Sequence, residues 1–78
     1  MSAIATPALR DLLVALLGVC NHQTGRKAVV ARAMAADEFL LLREEDRKVL
    51  NQWLGNFRKP PAGCRQVAQR LLREHFPR

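Results

Sequence analysis

Apolar residues early in the chain return at helical spacing. Leu9, Leu12, Leu13, Leu16, Leu17 and Cys20 share one side of a helix, while Val14, Ala15 and Val19 spread apolar surface over the rest. Thr6 and Pro7 start that helix, the threonine by capping free amides and the proline by its pre-set φ. The pattern predicts helix 1 from Pro7 to about Cys20, buried within the domain or against a second chain. NHQTG, residues 21–25, ends it, with Gly25 suited to a left-handed turn.

From Arg26 to Leu54 there is neither Gly nor Pro, so any break must be found from periodicity. Val30, Ala31 and Met34 form one stripe, and Val49, Leu50, Trp53, Leu54 and Phe57 form another. REED, residues 43–46, belongs in a first helical turn, where carboxylates complement the positive end of the dipole. A break within residues 36–42 follows, in preference to one long kinked helix. Gly55 and the Pro60-Pro61 pair end helix 3 and launch helix 4. There Cys64, Val67, Ala68, Leu71, Leu72 and His75 lie on one side and Arg65, Gln66, Gln69, Arg70 and Arg73 on the other. The predicted fold is all-α: a compact, approximately up-and-down bundle of about four short helices. It forms a single domain over residues 1–78, with 1–5 as a flexible N-terminal tail.

Composition narrows this picture. Seventy-eight residues leave room for one core, and with 49% hydrophobic residues but only three Phe and one Trp that core must be built from Leu, Val and Ala, which favours helices. The net charge of +6 and pI of about 10.7 favour a polyanion or an acidic protein surface as partner. Two cysteines in a chain without a convincing export signal fit a reducing cytoplasm. LLVALLGVC, residues 12–20, resembles a short signal h-region, but Asp11 abuts it, Arg10 is the only cation before it, and Val19 is bulky where cleavage needs a small residue. It is also shorter than the roughly 20 residues of a membrane span, so no membrane partner is expected.

Candidate chemistry is sparse. The chain has no Tyr, its only Ser is Ser2, and neither a glycine-rich phosphate loop nor a Ser/His/Asp set can be assembled, so no enzyme and no cofactor are expected. Cys20, His22, Cys64 and His75 are zinc-ligand types. Cys64 and His75 on one helix would stand roughly 16 Å apart, too far for one ion. No metal site is assigned.

LNQWLGNFRKPPAGCRQVAQRL, residues 50–71, resembles the end of a Cro/repressor-type domain through Trp53, Gly55, Arg58, Lys59 and Pro60. That likeness implies a helix, a basic loop and a further helix in a DNA-binding unit. It covers only this segment. Upstream, Glu44, Glu45 and Asp46 stand where a DNA-reading helix would meet phosphates, Ala35 replaces a turn glycine, and the spacing from Ala31 to Trp53 is too long. The chain is therefore not assigned to that family.

Charge is segregated along the sequence: residues 1–36 carry net +3, residues 37–54 net −2 and residues 55–78 net +5. In an up-and-down bundle the first and third connections share one end, bringing TGRK, residues 24–27, beside NFRKPP, residues 56–61. Arg26, Lys27, Arg58 and Lys59 then form a basic pole where helices 2 and 4 begin and their free amides point outward. Arg65, Arg70 and Arg73 extend it along helix 4, while Asp37, Glu38 and REED mark an acidic pole. Two functions are consistent with this pattern. One is a small nucleic-acid-binding regulator that contacts phosphates through the basic pole. The other is a protein-binding accessory or inhibitor of the phage- or plasmid-encoded type, docking on an acidic or nucleic-acid-binding site of a larger protein. Helix 1 is a candidate homodimer surface.

Overall fold

A computed structural model describes residues 4–18 and 22–77, the side chains of residues 22–24 excepted. Five helices follow in order: α1 (Pro7–Leu17), α2 (His22–Met34), α3 (Ala36–Leu40), α4 (Glu44–Gly55) and α5 (Cys64–His75). The fold is an all-α bundle, without strands among the described residues. Its radius of gyration, 11.4 Å, is close to the roughly 11.5 Å of a compact chain this long.

Local signals set the ends of most elements. Thr6 caps α1, its Oγ1 accepting from the Leu9 amide at 3.4 Å, and Pro7 follows at the first helical position. The predicted break at residues 36–42 is occupied by the short α3 and the turn after it. Arg47 fixes that turn by donating to the carbonyls of Leu40 and Leu42 at 2.8 and 2.9 Å. Glu44, Glu45 and Asp46 fill the first turn of α4, as the dipole argument requires. The chain enters α5 through Gly63 at φ +78°, a left-handed conformation that side chains disfavour. The two prolines therefore lie within the connection, and Gly63 opens the helix.

Three expectations are corrected. Gly25 does not turn the chain: α2 begins at His22 and Gly25 lies inside it, with Phe57 packed on its bare Cα. A Cβ there would lie 3.1 Å from the Phe57 ring. Ile4, expected in a flexible tail, is buried; residues 1–3 lie outside the described residues, as does the predicted C-terminal end of helix 1 at Val19 and Cys20. The stripe expected on α2 is also reversed. Ala31 is buried, but Val30 and Met34 are 58% and 72% exposed, and the inward residues are Gly25, Ala28, Ala31 and Ala35. Small side chains let α2 approach α1 closely, and this is the most extensive helix pairing in the bundle.

One core joins all five helices: Leu9, Leu12, Leu13 and Leu16 of α1 are fully buried, with Phe39, Leu50, Trp53 and Leu71 from α3, α4 and α5 in the same cluster. α5 packs on α1 and α4, and α4 also touches α2. Trp53 is buried as the apolar stripe predicts, and Phe39 carries the Arg32 guanidinium 3.7 Å from its ring centre.

Candidate functional site

Four contacts define the two ends of the bundle. At one end Gly25 meets Phe57, and Arg65 donates through Nη1 to the Leu17 carbonyl at 3.2 Å, placing a cation at the negative end of α1. At the other, the Thr6 hydroxyl donates to Glu38 Oε2 at 2.8 Å, and Arg70 Nη2 pairs with Asp46 Oδ1 at 2.5 Å. All seven carboxylates of the sequence belong to residues 11, 37, 38, 44, 45, 46 and 74, whereas residues 12–36 and 47–73 carry none. The end formed by the start of α2, the α4–α5 connection and the start of α5 is thus free of acid and carries Arg26, Lys27, Arg58, Lys59 and Arg65.

The connection that presents Arg58 and Lys59 is ordered. Asn56 Oδ1 accepts from the backbone amides of Arg58 and Lys59 at 3.1 and 3.3 Å, and Pro60 and Pro61 restrict the backbone that follows. Both cations are exposed. The α5 helix beyond them opens without a side-chain cap.

Arg26 and Lys27 are exposed as well, but not at a helix start. They are the fifth and sixth residues of α2, one turn past its first amides, and they flank a groove between α1 and α2. The Gly25–Phe57 contact still holds this part of α2 against the residue that precedes Arg58, so the two cation pairs belong to one end of the fold.

The seven sequence-derived site residues therefore divide. Arg26, Lys27, Arg58 and Lys59 share the acid-free end, and Arg65 joins them with one guanidinium nitrogen already committed to Leu17. Arg70 does not belong with them. It forms the ion pair with Asp46, whose side chain is 4% exposed, and donates to Glu74 at 3.1 Å. Hydrogen bonding to Glu74 and then to Asp46 raises the Arg70 pKa against the desolvation that lowers it. The same Arg70 hydrogen bond holds the Glu74 carboxyl below its ordinary 4.5. Arg73 is exposed one turn further on, toward the acidic end.

The two candidate zinc ligands that can be placed, Cys64 and His75, are the first and last residues of α5, and Cys64 is buried. Cys20 and the His22 side chain lie outside the described residues. No described helix is long and apolar enough to cross a membrane.

What the sequence reading missed is the groove itself. Val14 on α1 and Val30 and Met34 on α2 line an open volume of about 650 Å³, with Asp11, Arg26 and Lys27 at its edge. A signal was available: Lys27, Val30 and Met34 repeat at helical spacing on the face of α2 turned from the alanines. Compared with protein-family models, curated proteins and solved structures, the chain finds no match.

Proposed function

We propose that this chain is a small nucleic-acid-binding regulator whose acid-free pole contacts phosphates. The observation that carries the reading is the placement of Arg26, Lys27, Arg58 and Lys59 at one end of the bundle, on segments that carry no carboxylate of their own. Arg58 and Lys59 have no carboxylate in their connection to compete with phosphates, whereas Asp11 shares the groove edge with Arg26 and Lys27 without pairing with them. The aromatic rings are buried or half-buried in the core, so backbone contact and not base stacking is the expected mode. The reading is of a binding protein and not of an enzyme, working in the cytoplasm, where its buried Cys64 stays reduced.

The groove favours a second reading, a protein-binding accessory. An apolar floor is of no use to a phosphate backbone but suits a protein side chain, and Arg26 and Lys27 at its edge suit carboxylates placed opposite them on the partner. The homodimer expected of helix 1 would use the same groove.

A salt titration of binding to random-sequence duplex DNA tests the first reading. Four phosphate contacts give a log-log slope of about −3.6, so that affinity falls roughly a hundredfold between 50 and 200 mM salt. If the partner is instead an acidic protein, salt acts mainly on the association rate. Absence of any DNA binding at low salt contradicts the nucleic-acid reading.

A further inference from the structure

We infer that a second copy of this chain occupies the α1/α2 groove, running antiparallel to the first about a two-fold axis. This rests on the reading of the groove as a protein-binding surface; it shares Arg26 and Lys27 with the phosphate-binding pole but not Arg58 and Lys59. The starting observation is an inversion of size. α2 turns glycine and alanines inward, leaving Val30 and Met34 outside at 58% and 72% exposure, beside Val14 at 52% on α1. Three large apolar side chains on adjacent helices form a continuous surface that water covers unfavourably.

Charge identifies the occupant. The groove carries both signs: because α1 and α2 follow one another closely in sequence and pack together, the start of α2 with Arg26 and Lys27 faces the Val14 end of α1, and Asp11 lies about one turn further from it, toward the Met34 end. None of these three side chains takes part in an ion pair within the described chain. A uniformly acidic helix would meet the two cations well and Asp11 badly. A second copy reversed about a two-fold axis sets its Asp11 against Arg26 and Lys27, and its own cations against Asp11, so both edges are matched twice. The same reversal acts on the whole molecule, because it lays the acid-free end of one copy beside the end of the other that holds Asp37, Glu38, Glu44 and Glu45. A parallel arrangement would bring like ends together. The apolar contact supplies the affinity, and the charges, being exposed, supply the orientation.

The test is sedimentation equilibrium of the full chain, from micromolar concentration to about 1 mM. The wild type should approach twice the monomer mass. Val30→Glu with Met34→Glu changes only exposed positions, so far-UV circular dichroism should stay native while the dimer dissociation constant rises at least about tenfold. Asp11→Lys alone, or Arg26→Glu with Lys27→Glu, should also weaken the dimer, and the three charge reversals together should restore it. A wild type that stays monomeric throughout overturns the proposal, as does a Val30→Glu, Met34→Glu variant that dimerises undiminished. Failure of the combined reversal to restore association overturns the antiparallel pairing. DNA binding by the Val30→Glu, Met34→Glu variant, which keeps all four pole cations, decides the pole separately from the dimer.

Discussion

Replacing Arg70 with Met should destabilise the fold more than replacing its partner Asp46 with Asn, although both changes break the same ion pair. Arg70→Met keeps much of the aliphatic stem but leaves the Asp46 carboxylate, with a side chain 4% exposed, without its cation. Removing one member of a buried pair costs about 3–5 kcal/mol. Two features reduce that figure here. The Arg70 side chain is 31% exposed, so the pair is partly screened, and Asp46 is the third residue of α4, where the helix dipole favours a negative charge. A cost of about 2–3 kcal/mol follows for Arg70→Met. Asp46→Asn keeps a hydrogen-bond acceptor and leaves Arg70 bonded to Glu74, so only the charge-assisted part of one bond is lost, about 1–1.5 kcal/mol. The double variant should cost less than the two single losses combined, because no unpaired charge remains. Urea unfolding followed by far-UV circular dichroism measures all three, against a total stability of roughly 4–12 kcal/mol for a domain of this length. Arg70→Met within about 0.5 kcal/mol of wild type, or Asp46→Asn as the costlier change, would refute the reasoning.

Two further predictions concern the same bundle. Because hydrogen bonding to Arg70 lowers the Glu74 pKa below 4.5, its contribution is complete above that value and disappears as pH falls through the lowered one. Glu74→Gln should therefore reduce the loss of stability on acidification, read as the shift in urea midpoint between pH 7 and pH 3; an identical shift in both proteins would count against it. At Gly25, alanine gains about 1 kcal/mol of helix propensity but places its Cβ 3.1 Å from the Phe57 ring. Gly25→Ala should be neutral to destabilising by about 1 kcal/mol in the wild type and stabilising in a Phe57→Leu background. Equal effects in the two backgrounds would show that the ring does not constrain this glycine.

Much of the fold was legible because its signals are local. The Thr6-Pro7 start, the acidic first turn of α4 and the apolar faces of α4 and α5 need only neighbours in sequence. The failures have a common cause in contacts far apart along the chain. Gly25 reads as a helix end by its own propensity, yet the Phe57 ring occupies the space a side chain would take. On α2, hydrophobicity favours Val30 and Met34 as the core stripe, whereas close approach to α1 selects glycine and alanine, which no hydropathy pattern distinguishes from filler. Arg70 looked like one more cation on a polar face until Asp46, twenty-four residues away, was brought beneath it. The basic pole was legible as a consequence of connectivity, since short connections place residues 24–27 and 56–61 at one end. The direction in which Arg26 and Lys27 face was not, because it depends on where α2 starts.

Phosphate binding at the pole depends on where the cations stand and not on total charge, so the most direct measurement compares two variants with equal charge removed. One replaces Arg26, Lys27, Arg58 and Lys59 with Ala; the other replaces Arg10, Arg43, Lys48 and Arg73, exposed cations outside the acid-free pole. Both should keep wild-type helicity. In a salt titration of duplex DNA binding, the first should lose most of the slope, about one unit for each lost phosphate contact, while the second should keep a slope close to that of the wild type. Equal losses in the two variants would mean that the chain attracts DNA by net charge alone, and that the pole is not a site.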